Sequence, residues 1–368
     1  MTDNEYLAIA LELAKKGCGF VNSNPMVGAV IVKNDEIIGI GYHEKYGELH
    51  AERNALKNCT SSPDGATMYV TLEPCCHYGK TTPCTNAIIK SGISRVVIGS
   101  SDPNPLVAGK GVQMLKQHGI EVVENILKKE CDGINEVYFH FVKTKTPFVV
   151  MKYAMTLDGK IATVGGKSKW ITGEVARQRV QKDRHKYSAI MVGVGTVIAD
   201  NPLLTCRLEN SKNPIRIICD THLRTPLDSN ITQTASEVRT ILATCVSDSF
   251  RISPYLEKDC QLITCKKKED HIDLNDLMIK LGKEKIDSIL LEGGSTLNWS
   301  VLKAGIVKKV QTYIAPKLFG GDNAKGPIGG LGVNNIGDVY VLKNAKIISL
   351  GDDFLIESEV VKNVHRNC

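Results

Sequence analysis

The sequence predicts two consecutive α/β domains. Short apolar runs typical of strands alternate with segments of helical periodicity along the chain, which is the pattern of sheets covered by helices. This pattern stops at the polar, proline-ended stretch 143–147 and then restarts with a new apolar run. We therefore expect one domain over residues 1–145 and a second over residues 146–368.

The composition is that of an ordinary globular protein. The chain has 368 residues, of which 42% are hydrophobic and 23% charged, enough for two separate cores. Its 46 basic and 40 acidic residues give a net charge of +6 and are spread along the sequence. The basic cluster 266–268 is followed at once by Glu269 and Asp270, so a solvated loop is expected there. This balance suits an anionic phosphate substrate better than a nucleic acid.

The cysteine pattern and the N-terminus favour a cytoplasmic protein. The 12 cysteines are scattered without a disulfide framework, and the acidic N-terminus lacks the basic and apolar segments of a signal peptide. The longest apolar run, 189–199, is interrupted by Gly193 and Gly195 and is too short to cross a bilayer. We expect free, mostly buried thiols.

The first domain begins with a helix and a hairpin. Residues 6–16 carry apolar positions at helical spacing and end near Gly17, and residues 27–40 predict two strands joined at Asn34 and Asp35. A further helix is expected to begin at His50. The remaining elements are strands over 67–72, 95–99 and 120–123 and helices over 85–90, 110–118 and 128–143.

The second domain shows the same alternation. Helices are predicted over 174–186 and 297–304. Strands are predicted over 148–152, 189–194, 215–219, 240–244, 262–264, 288–291, 310–315, 345–348 and 354–356.

One imidazole, two thiols and a carboxylate predict a catalytic zinc site. His50 and Glu52 fall in the first turn of a predicted helix, Cys75 follows a strand and Pro74, and Cys84 precedes another helix. Three protein ligands leave the fourth tetrahedral position of zinc to water, whose pKa the metal lowers to about 7. Glu52 is not expected to be a ligand, but to move protons between that water and the substrate. The set is similar to the signature of zinc-dependent base deaminases.

Three alternatives remain open at this point. The common deaminase spacing places two residues between the cysteines, whereas eight separate Cys75 from Cys84, so Cys76 is a rival ligand. A structural zinc site closed by Cys76 or His77 would make this a binding domain rather than an enzyme. The second enzymatic reading is a nucleic-acid base deaminase with an accessory binding domain, which the 5% aromatic content and the lack of a basic stripe disfavour.

Taken together, these motifs resemble the bifunctional riboflavin-biosynthesis deaminase–reductase family over almost the whole chain. That family carries the long loop between the cysteines, here Gly-Lys-Thr-Thr-Pro-Cys over 79–84, with Thr82 where proline is more usual. The resemblance implies a cytidine-deaminase-like three-layer α/β/α domain followed by a dihydrofolate-reductase-like α/β domain. It also implies zinc and NADPH as cofactors.

Two consecutive reactions follow from the resemblance. The first is zinc-hydroxide hydrolytic deamination of 2,5-diamino-6-(5-phosphoribosylamino)pyrimidin-4-one, and the second is NADPH reduction of the ribosyl group of the product to ribityl. Both substrates are small molecules, so we expect neither nucleic acid nor a membrane as partner, and we expect a homo-oligomer. In the first domain the resemblance assigns His50, Cys75 and Cys84 to zinc, Glu52 to catalysis, and Asn24, His43, His77, Lys80, Thr81, Asp102 and Asn104 to substrate.

The reductase residues are also assigned by resemblance. The run Gly193–Ile198 is not a dinucleotide-binding fingerprint, because Ile198 stands where the third glycine is needed. It matches instead a family pattern continued by Asp200 and Arg207. Lys152 and Asp200 are candidates for the proton that accompanies the hydride. The resemblance assigns Lys152, Ser168, Arg184, Leu204, Arg207 and Glu292 to substrate, with Arg184 on its phosphate, and Ala154, Trp170, Thr196, Asp200, Gly294, Ser295 and Thr296 to the cofactor.

Overall fold

The computed structural model describes residues 1–77 and 82–361. The chain divides into two compact units, residues 1–145 and 146–368. No helix in the described part of the chain is long and apolar enough to span a bilayer. Each unit is built around a sheet of its own.

The first unit contains a five-stranded sheet in the order β2-β1-β3-β4-β5. The strand β1 is antiparallel to both of its neighbours, whereas β3, β4 and β5 run parallel. The predicted turn residues Asn34 and Asp35 both have positive φ, as a tight hairpin requires. The elements are α1 (Asp3–Lys15), β1 (Gly28–Lys33), β2 (Glu36–Tyr42), α2 (Ala51–Lys57), β3 (Thr67–Leu72), α3 (Cys84–Lys90), β4 (Arg95–Ser100), α4 (Lys110–Gln117), β5 (Glu121–Val123), α5 (Lys128–Ile134) and α6 (Glu136–Thr144).

Helices cover both faces of this sheet and confirm the predicted three-layer arrangement. On one face, α1 and α5 pack against β1, β3 and β4 through a core that includes Tyr6, Leu7 and Cys131. On the other face, α2, α3 and α4 bury Ala55, Ile88 and Leu115 against the same strands. The sheet and α1 approach closely at Gly28, where a Cβ would lie 1.9 Å from the carbonyl oxygen of Ala10.

The prediction of a single helix over 128–143 is wrong, because this segment forms two helices. The helix α5 ends at Ile134 and α6 begins at Glu136. Between them Asn135 is almost completely buried, and its side-chain amide pairs with the backbone of Met26. Its Oδ1 accepts from the Met26 amide at 2.8 Å, and its Nδ2 donates to the Met26 carbonyl at 2.9 Å. The periodicity of the segment does not reveal this long-range pairing.

The second unit is organised around a nine-stranded sheet in the order β10-β9-β8-β7-β13-β6-β14-β16-β15. The strands from β10 to β14 run parallel, and the β15–β16 hairpin is antiparallel. The elements are β6 (Phe148–Thr156), α7 (Glu174–Lys186), β7 (Ala189–Gly193), α8 (Val194–Asp200), β8 (Ile215–Cys219), α9 (Asn230–Gln233), β9 (Thr240–Thr244), α10 (Ser249–Leu256), β10 (Gln261–Thr264), β11 (Lys267–Lys268), β12 (His271–Ile272), α11 (Leu274–Lys283), β13 (Ser288–Leu291), α12 (Ser295–Lys303), β14 (Val307–Ala315), β15 (Val341–Leu350) and β16 (Asp353–Val361).

Both faces of the parallel strands are buried, which explains their continuous apolar sequences. One face packs against α11 and α12 through residues such as Leu277 and Val301, and the other packs against α8 and α10 through Val197 and Tyr255. The helices α8, α10 and α11 were not predicted. The signal for α11 was present, since Asp273 caps it by accepting a hydrogen bond from the Asn275 amide at 3.0 Å.

Candidate active sites

The predicted zinc ligands meet in the first unit. His50 is the residue before α2, Cys75 lies in the loop after β3, and Cys84 is the first residue of α3. His50 Nδ1 lies 3.5 Å from Cys75 Sγ and 3.4 Å from Cys84 Sγ, and all three donor atoms lie within 4.8 Å of one another. One nitrogen and two sulfurs at these separations fit a single zinc ion with bonds of about 2.0–2.3 Å.

The Cys75 side chain is poised as a thiolate. Hydrogen bonds from the Cys84 thiol, from His50 and from the Cys84 backbone amide lower the pKa of Cys75, although burial opposes its ionisation. The amide lies 3.4 Å from the Cys75 sulfur. Since the thiolate is the form that binds metal, this environment favours coordination near neutral pH.

Cys76 is not part of the ligand group. Its thiol is oriented toward the Leu106 carbonyl, at 3.7 Å, and burial raises its pKa. Among residues 1–77 and 82–361, the only cluster of histidine, cysteine and acidic side chains suited to a metal is His50, Cys75 and Cys84. The long spacing between the two cysteines is thus compatible with a shared ion, and three donors match a catalytic rather than a structural site.

Glu52 lies in the first turn of α2, beside these ligands. Its side chain is buried, and it lines the same cavity of about 310 Å³ as His50 and Cys75. Burial, reinforced by the negative charge of Cys75, raises the pKa of Glu52 to about 7. A carboxyl group that gains and loses a proton near neutral pH is suited to general acid–base chemistry.

Five of the expected substrate residues line this cavity. Lys80 and Thr81 lie outside the described residues. The side chains that the fold brings to the cavity are Asn24, His43, His77, Asp102 and Asn104.

A short hydrogen-bond chain orients Asn24. The Nδ1 atom of buried His43 lies 3.1 Å from the Leu49 carbonyl, which can only accept, so this nitrogen carries the hydrogen. The Nε2 atom is then an acceptor for the Asn24 amide nitrogen at 3.2 Å. Burial lowers the pKa of His43 and keeps the ring neutral. The Asn24 oxygen and its second amide hydrogen are therefore the groups that remain for a ligand.

Glu73 is a site residue that the sequence analysis missed. Its buried carboxylate accepts backbone hydrogen bonds from four residues of the segment 102–112. The donors are the amides of Asp102 at 3.3 Å, Gly109 at 3.1 Å, Gly111 at 3.0 Å and Val112 at 3.3 Å. The segment that carries Asp102 and Asn104 is fixed in this way. The sequence feature that could have indicated this role is the position of Glu73, an acidic residue between a buried strand and Pro74.

Tyr138 on α6 was also missed. It lines the cavity, and its hydroxyl lies 3.2 Å from both carboxylate oxygens of Asp102. Burial raises the pKa of Asp102 to about 6, against the opposing hydrogen bonds from the Asn104 amide and Tyr138. The sequence predicted a helix at Tyr138 but gave no indication of which residues its aromatic face would contact.

The second unit has a cleft of about 490 Å³ at the carboxyl ends of its central strands. It is bordered by Gly193 at the end of β7, by Cys219 at the end of β8, and by Gly294 shortly after β13. This is the usual location of ligand sites in parallel sheets. The expected residues that line the cleft are Ser168, Thr196, Asp200, Gly294, Ser295 and Thr296.

Arg184 and Glu292 form a partly buried ion pair. The Nε and Nη2 atoms of Arg184 lie 2.8 and 3.1 Å from the two Glu292 oxygens, and Nη1 donates to the Thr205 carbonyl at 3.0 Å. Lys152 lies 3.7 Å from the same carboxylate. Burial opposes ionisation of Glu292, but Arg184 and Lys152 outweigh it and lower its pKa to about 2. The guanidinium fork expected to bind substrate phosphate is thus already engaged.

The other expected reductase residues lie outside the lining of this cleft. Leu204 belongs to the core beside β7 and β8 and has a positive φ, so only its backbone is available to a ligand. Arg207 is exposed, and its backbone amide donates to Gln181 at 3.0 Å. Ala154 packs against the core around Tyr313. Trp170 is exposed, and the guanidinium carbon of Arg177 lies 5.0 Å from the centroid of its ring.

Two protein-family models match the chain, one in each unit. Residues 1–100 match the cytidine and deoxycytidylate deaminase zinc-binding region. Residues 147–356 match the RibD C-terminal domain. The predicted pairing of a deaminase-like fold with a reductase fold is confirmed by these matches and by the solved structures below.

The chain is similar to riboflavin biosynthesis protein RibD of Actinobacillus pleuropneumoniae, with 56% identity over 98% of this chain and 96% of that protein. It is 39% identical to RibD of Escherichia coli over 96% and 98% of the two chains. The structure of Acinetobacter baumannii RibD has a TM-score of 0.88 at 35% identity, with 98% and 99% of the chains covered.

A Thermotoga maritima diaminohydroxyphosphoribosylaminopyrimidine deaminase/5-amino-6-(5-phosphoribosylamino)uracil reductase has a TM-score of 0.87 at 38% identity, again with 98% and 99% covered. The similarity to these proteins extends over nearly the whole chain. The zinc-binding motif with Glu52 and the match to the reductase domain indicate the same family. The chain belongs to the RibD family of bifunctional riboflavin biosynthesis enzymes, which join a zinc-dependent deaminase to an NADPH-dependent reductase.

Proposed function

We propose that the first unit hydrolyses the exocyclic amine of a diaminopyrimidinone ribose phosphate and that the second reduces the ribosyl group of the product to ribityl. The observation that carries the first step is the juxtaposition of His50, Cys75 and Cys84 with buried Glu52 in one cavity. Zinc bound by these three residues supplies Lewis-acid activation of water. Glu52 takes a proton from the attacking water and donates it to the ring nitrogen beside the reacting carbon. It then takes the proton of the hydroxyl group formed on that carbon and donates it to the amino group, which leaves as ammonia.

The remaining cavity residues bind and orient the substrate. Asn24 offers its carbonyl oxygen and one amide hydrogen to the pyrimidine edge, and His43 holds that amide in place. Asp102 and Asn104 contact the ribose, on a segment positioned by Glu73. His77 also lines the cavity, and its Nδ1 is buried without a protein partner among the described residues, which leaves it to bind the ligand. We assign Lys80 and Thr81 to the ribose phosphate on the strength of the family motif.

In the second unit, Thr196, Asp200, Gly294, Ser295 and Thr296 hold the cofactor in the cleft. Bound NADPH supplies the hydride. The residues at the start of α12 line the cleft, and the backbone amides of a helix N-terminus are suited to the cofactor's pyrophosphate.

Glu292 fixes Arg184 and Lys152 beside the sugar, where the Lys152 ammonium can donate the proton that balances the hydride. Ser168 and the exposed Arg207 bind the substrate, together with the backbone of Leu204. We assign Ala154 and Trp170 to the cofactor from the family motif.

We further propose that the enzyme is a cytoplasmic homo-oligomer that acts on small molecules and not on nucleic acid. The evenly distributed charge and the low aromatic content of 5% support the last point. Sedimentation of the purified protein tests the oligomeric state, and filter binding of tRNA at physiological salt tests the absence of nucleic-acid binding. A monomeric species, or tight binding of tRNA, would contradict them.

The deciding experiment is incubation of the purified, zinc-loaded protein with the diaminopyrimidinone ribose phosphate, alone and with NADPH or NADH. Mass analysis is expected to show replacement of an amino group by oxygen in every sample, and addition of two hydrogens only with the reduced nucleotide. Absence of ammonia release from a protein fully loaded with zinc would overturn the deaminase assignment. Deamination without reduction would overturn the reductase assignment alone.

A further inference from the structure

We propose that Tyr313 is a positioning residue for Lys152, and that its ring holds the lysine ammonium where it donates the proton of the reduction. The proposal rests on the reductase function proposed above and deepens it. Tyr313 lies outside the lining of the cleft of the second unit and is not among the substrate and cofactor residues assigned above. It acts through Lys152 and not through contact with either ligand.

Lys152 and Tyr313 lie on the same face of the second sheet. Lys152 and Ala154 on β6 are aligned with Gln311 and Tyr313 on the parallel strand β14. Side chains alternate along a strand, and aligned residues of parallel strands point to the same side, so these four share one face. The Lys152 Nζ lies over the Tyr313 ring, 5.5 Å from its centroid. A cation at this distance is attracted by the electron-rich face of the ring.

The Tyr313 ring is itself held in place. It is completely buried and packs among residues that include Ala176 and Leu355. Its hydroxyl donates to Oδ2 of Asp183 at 3.3 Å, and Asp183 is almost completely buried as well. The Nε atom of Arg179, 3.7 Å from the same oxygen, supplies a counter-charge to this carboxylate. Packing and a hydrogen bond therefore fix the surface that faces the lysine.

Two consecutive residues of α7 hold the two groups that contact Lys152. Asp183 binds the hydroxyl of Tyr313, and Arg184 binds Glu292. The Glu292 carboxylate lies 3.7 Å from the Lys152 Nζ. Consecutive helical residues point about 100° apart, so one reaches β14 and the other the end of β13. Because β6 lies between these two strands, the last turn of α7 fixes the ammonium from both sides.

An aromatic face differs from a carboxylate in what it leaves the ammonium free to do. The ammonium of Lys152 has three N–H donors, and Glu292 is an acceptor within reach of one of them. The ring of Tyr313 attracts the charge without accepting a conventional hydrogen bond. A second carboxylate in its place would compete for the remaining hydrogens. The observed arrangement fixes the ammonium and still leaves it able to donate to the ribose.

The reduction requires one such donation. Conversion of the ribosyl group to ribityl breaks the bond between the anomeric carbon and the ring oxygen. The carbon gains the hydride with its two electrons, NADPH is oxidised to NADP+, and the released oxygen gains a proton. Lys152 gives that proton from Nζ and regains one from solvent, to which its side chain is 15% exposed. A displaced ammonium slows this transfer, so the effect falls on kcat and not on KM.

The test is a double-mutant cycle in the full-length, zinc-loaded protein, read out as reduction of the deaminated substrate. Tyr313→Leu is expected to lower kcat roughly 3- to 30-fold, the range of a cation–π interaction, with less than a twofold change in either KM. In a Lys152→Gln background the same change should leave the residual kcat within a factor of two, because its target is absent. Tyr313→Phe keeps the ring and should retain at least half of the wild-type kcat.

Tyr187→Leu is the matched control. Tyr187 is buried at the end of α7, and the Nζ of Lys186 lies 5.1 Å from the centroid of its ring. Its replacement removes another tyrosine–lysine contact from the same unit and should leave kcat within twofold of wild type. Deamination should stay at the wild-type rate in every variant, since the substituted residues lie in the second unit.

A spectroscopic measurement needs no Tyr313 variant to fold. In protein labelled with 13C at the lysine ε carbons, the Lys152 signal is identified by its absence from Lys152→Gln. Its ε protons should be shifted upfield by the ring current of Tyr313. An unshifted signal would overturn the proposal, as would equal losses of kcat from Tyr313→Leu in the two backgrounds.

Two further results would also overturn the role of Tyr313. A Tyr313→Phe enzyme as slow as Tyr313→Leu would assign the effect to the hydroxyl and not to the ring. A Lys152→Gln enzyme with the wild-type kcat would show that another group donates the proton. An upfield-shifted Lys152 signal in a wild-type protein that never reduces the deaminated substrate would contradict the reductase function and leave the contact between the two residues standing.

Discussion

The carboxylate of Glu73 accepts a hydrogen bond from the backbone amide of Gly111 at 3.0 Å, across the carboxyl edge of the first sheet. A Cβ at Gly111 would lie 3.1 Å from that carboxylate and 2.3 Å from the Pro74 carbonyl oxygen, so glycine permits the approach. The contact ties the loop holding Cys75 to the segment holding Asp102 and Asn104. One side chain therefore positions both the loop of Cys75 and the segment of the proposed substrate residues Asp102 and Asn104.

We expect Glu73→Gln to impair deamination through substrate positioning. Glutamine keeps the size of the side chain but replaces one acceptor oxygen by a donor that faces backbone N–H groups. The KM for the diaminopyrimidinone phosphate should rise at least tenfold while one zinc per chain is retained, as measured by steady-state kinetics and metal analysis. Glu73→Asp, which keeps the charge, should recover part of the effect. An unchanged KM, or a loss of zinc equal to the loss of activity, would contradict a positioning role.

Glu52→Gln is expected to remove deamination without removing the metal. An amide cannot exchange protons near neutral pH, so the rate should fall by about 10²–10⁴, the usual contribution of a general acid–base group. Zinc content and reduction of the deaminated substrate should stay at wild-type values. Glu44→Gln, an exposed residue outside the cavity, is the matched control. Deamination by Glu52→Gln at a near-normal rate would show that another group moves the proton.

The two neighbouring cysteines are expected to behave differently. Cys75→Ser should lose most of its zinc and its deaminase activity, because a hydroxyl is a much weaker zinc ligand than a thiolate. Cys76→Ser should retain both, since its thiol is directed at the Leu106 carbonyl. Metal analysis after dialysis, with reductase activity as the measure of folded protein, distinguishes the two variants. Zinc loss in Cys76→Ser would reverse the ligand assignment.

Tyr138→Phe is expected to shift the pH dependence of substrate binding. Burial raises the pKa of Asp102 to about 6, and the Tyr138 hydroxyl opposes that rise by stabilising the carboxylate. If ionised Asp102 binds the substrate ribose, the KM for deamination should fall as pH rises through about 6 in wild type. Without the hydroxyl that transition should move to higher pH. A KM profile identical in both proteins would exclude Asp102 as the titrating group.

Glu292→Gln is expected to destabilise the second unit by about 2–3 kcal/mol, because it leaves the partly buried charge of Arg184 without its partner. Both tryptophans, Trp170 and Trp299, lie in this unit, so urea unfolding followed by tryptophan fluorescence reports on it. Glu284→Gln breaks the exposed ion pair with Arg239 and should cost less than about 1 kcal/mol. Similar losses in both variants would contradict the partial burial of this ion pair.

The pH dependence of the unfolding free energy provides a second test of the ion pair between Arg184 and Glu292. The pKa of Glu292 is lowered from 4.5 to about 2, so its stabilisation is fully present above pH 4.5 and is lost as the pH falls toward 2. The difference in unfolding free energy between wild type and Glu292→Gln should therefore be constant near neutral pH and shrink below pH 4.5. A difference that grows on acidification would mean that the carboxylate is not stabilised by its neighbours.

Local sequence patterns were sufficient to predict much of the fold and the residues of the metal site. Apolar periodicity placed α1 and α7 and the central strands, and the helix starts at His50 and Cys84 placed the zinc ligands. What sequence reasoning missed depends on contacts between distant residues. The Glu73 carboxylate acts on backbone amides up to 39 residues away. Arg184 looked free to bind phosphate until the fold placed Glu292 against it, 108 residues along the chain.

The pairing of Asn135 with Met26 determines how the protein can be divided. The two residues are 109 positions apart, and the loop fastened by Met26 also carries Asn24. The match to the deaminase zinc-binding region ends at residue 100. A gene fragment cut at that limit would encode all three zinc ligands but would lack the buried amide that anchors the pyrimidine-binding loop, together with Asp102, Asn104 and Tyr138. A fragment that keeps these contacts has to extend through α6, in the unit that ends at residue 145.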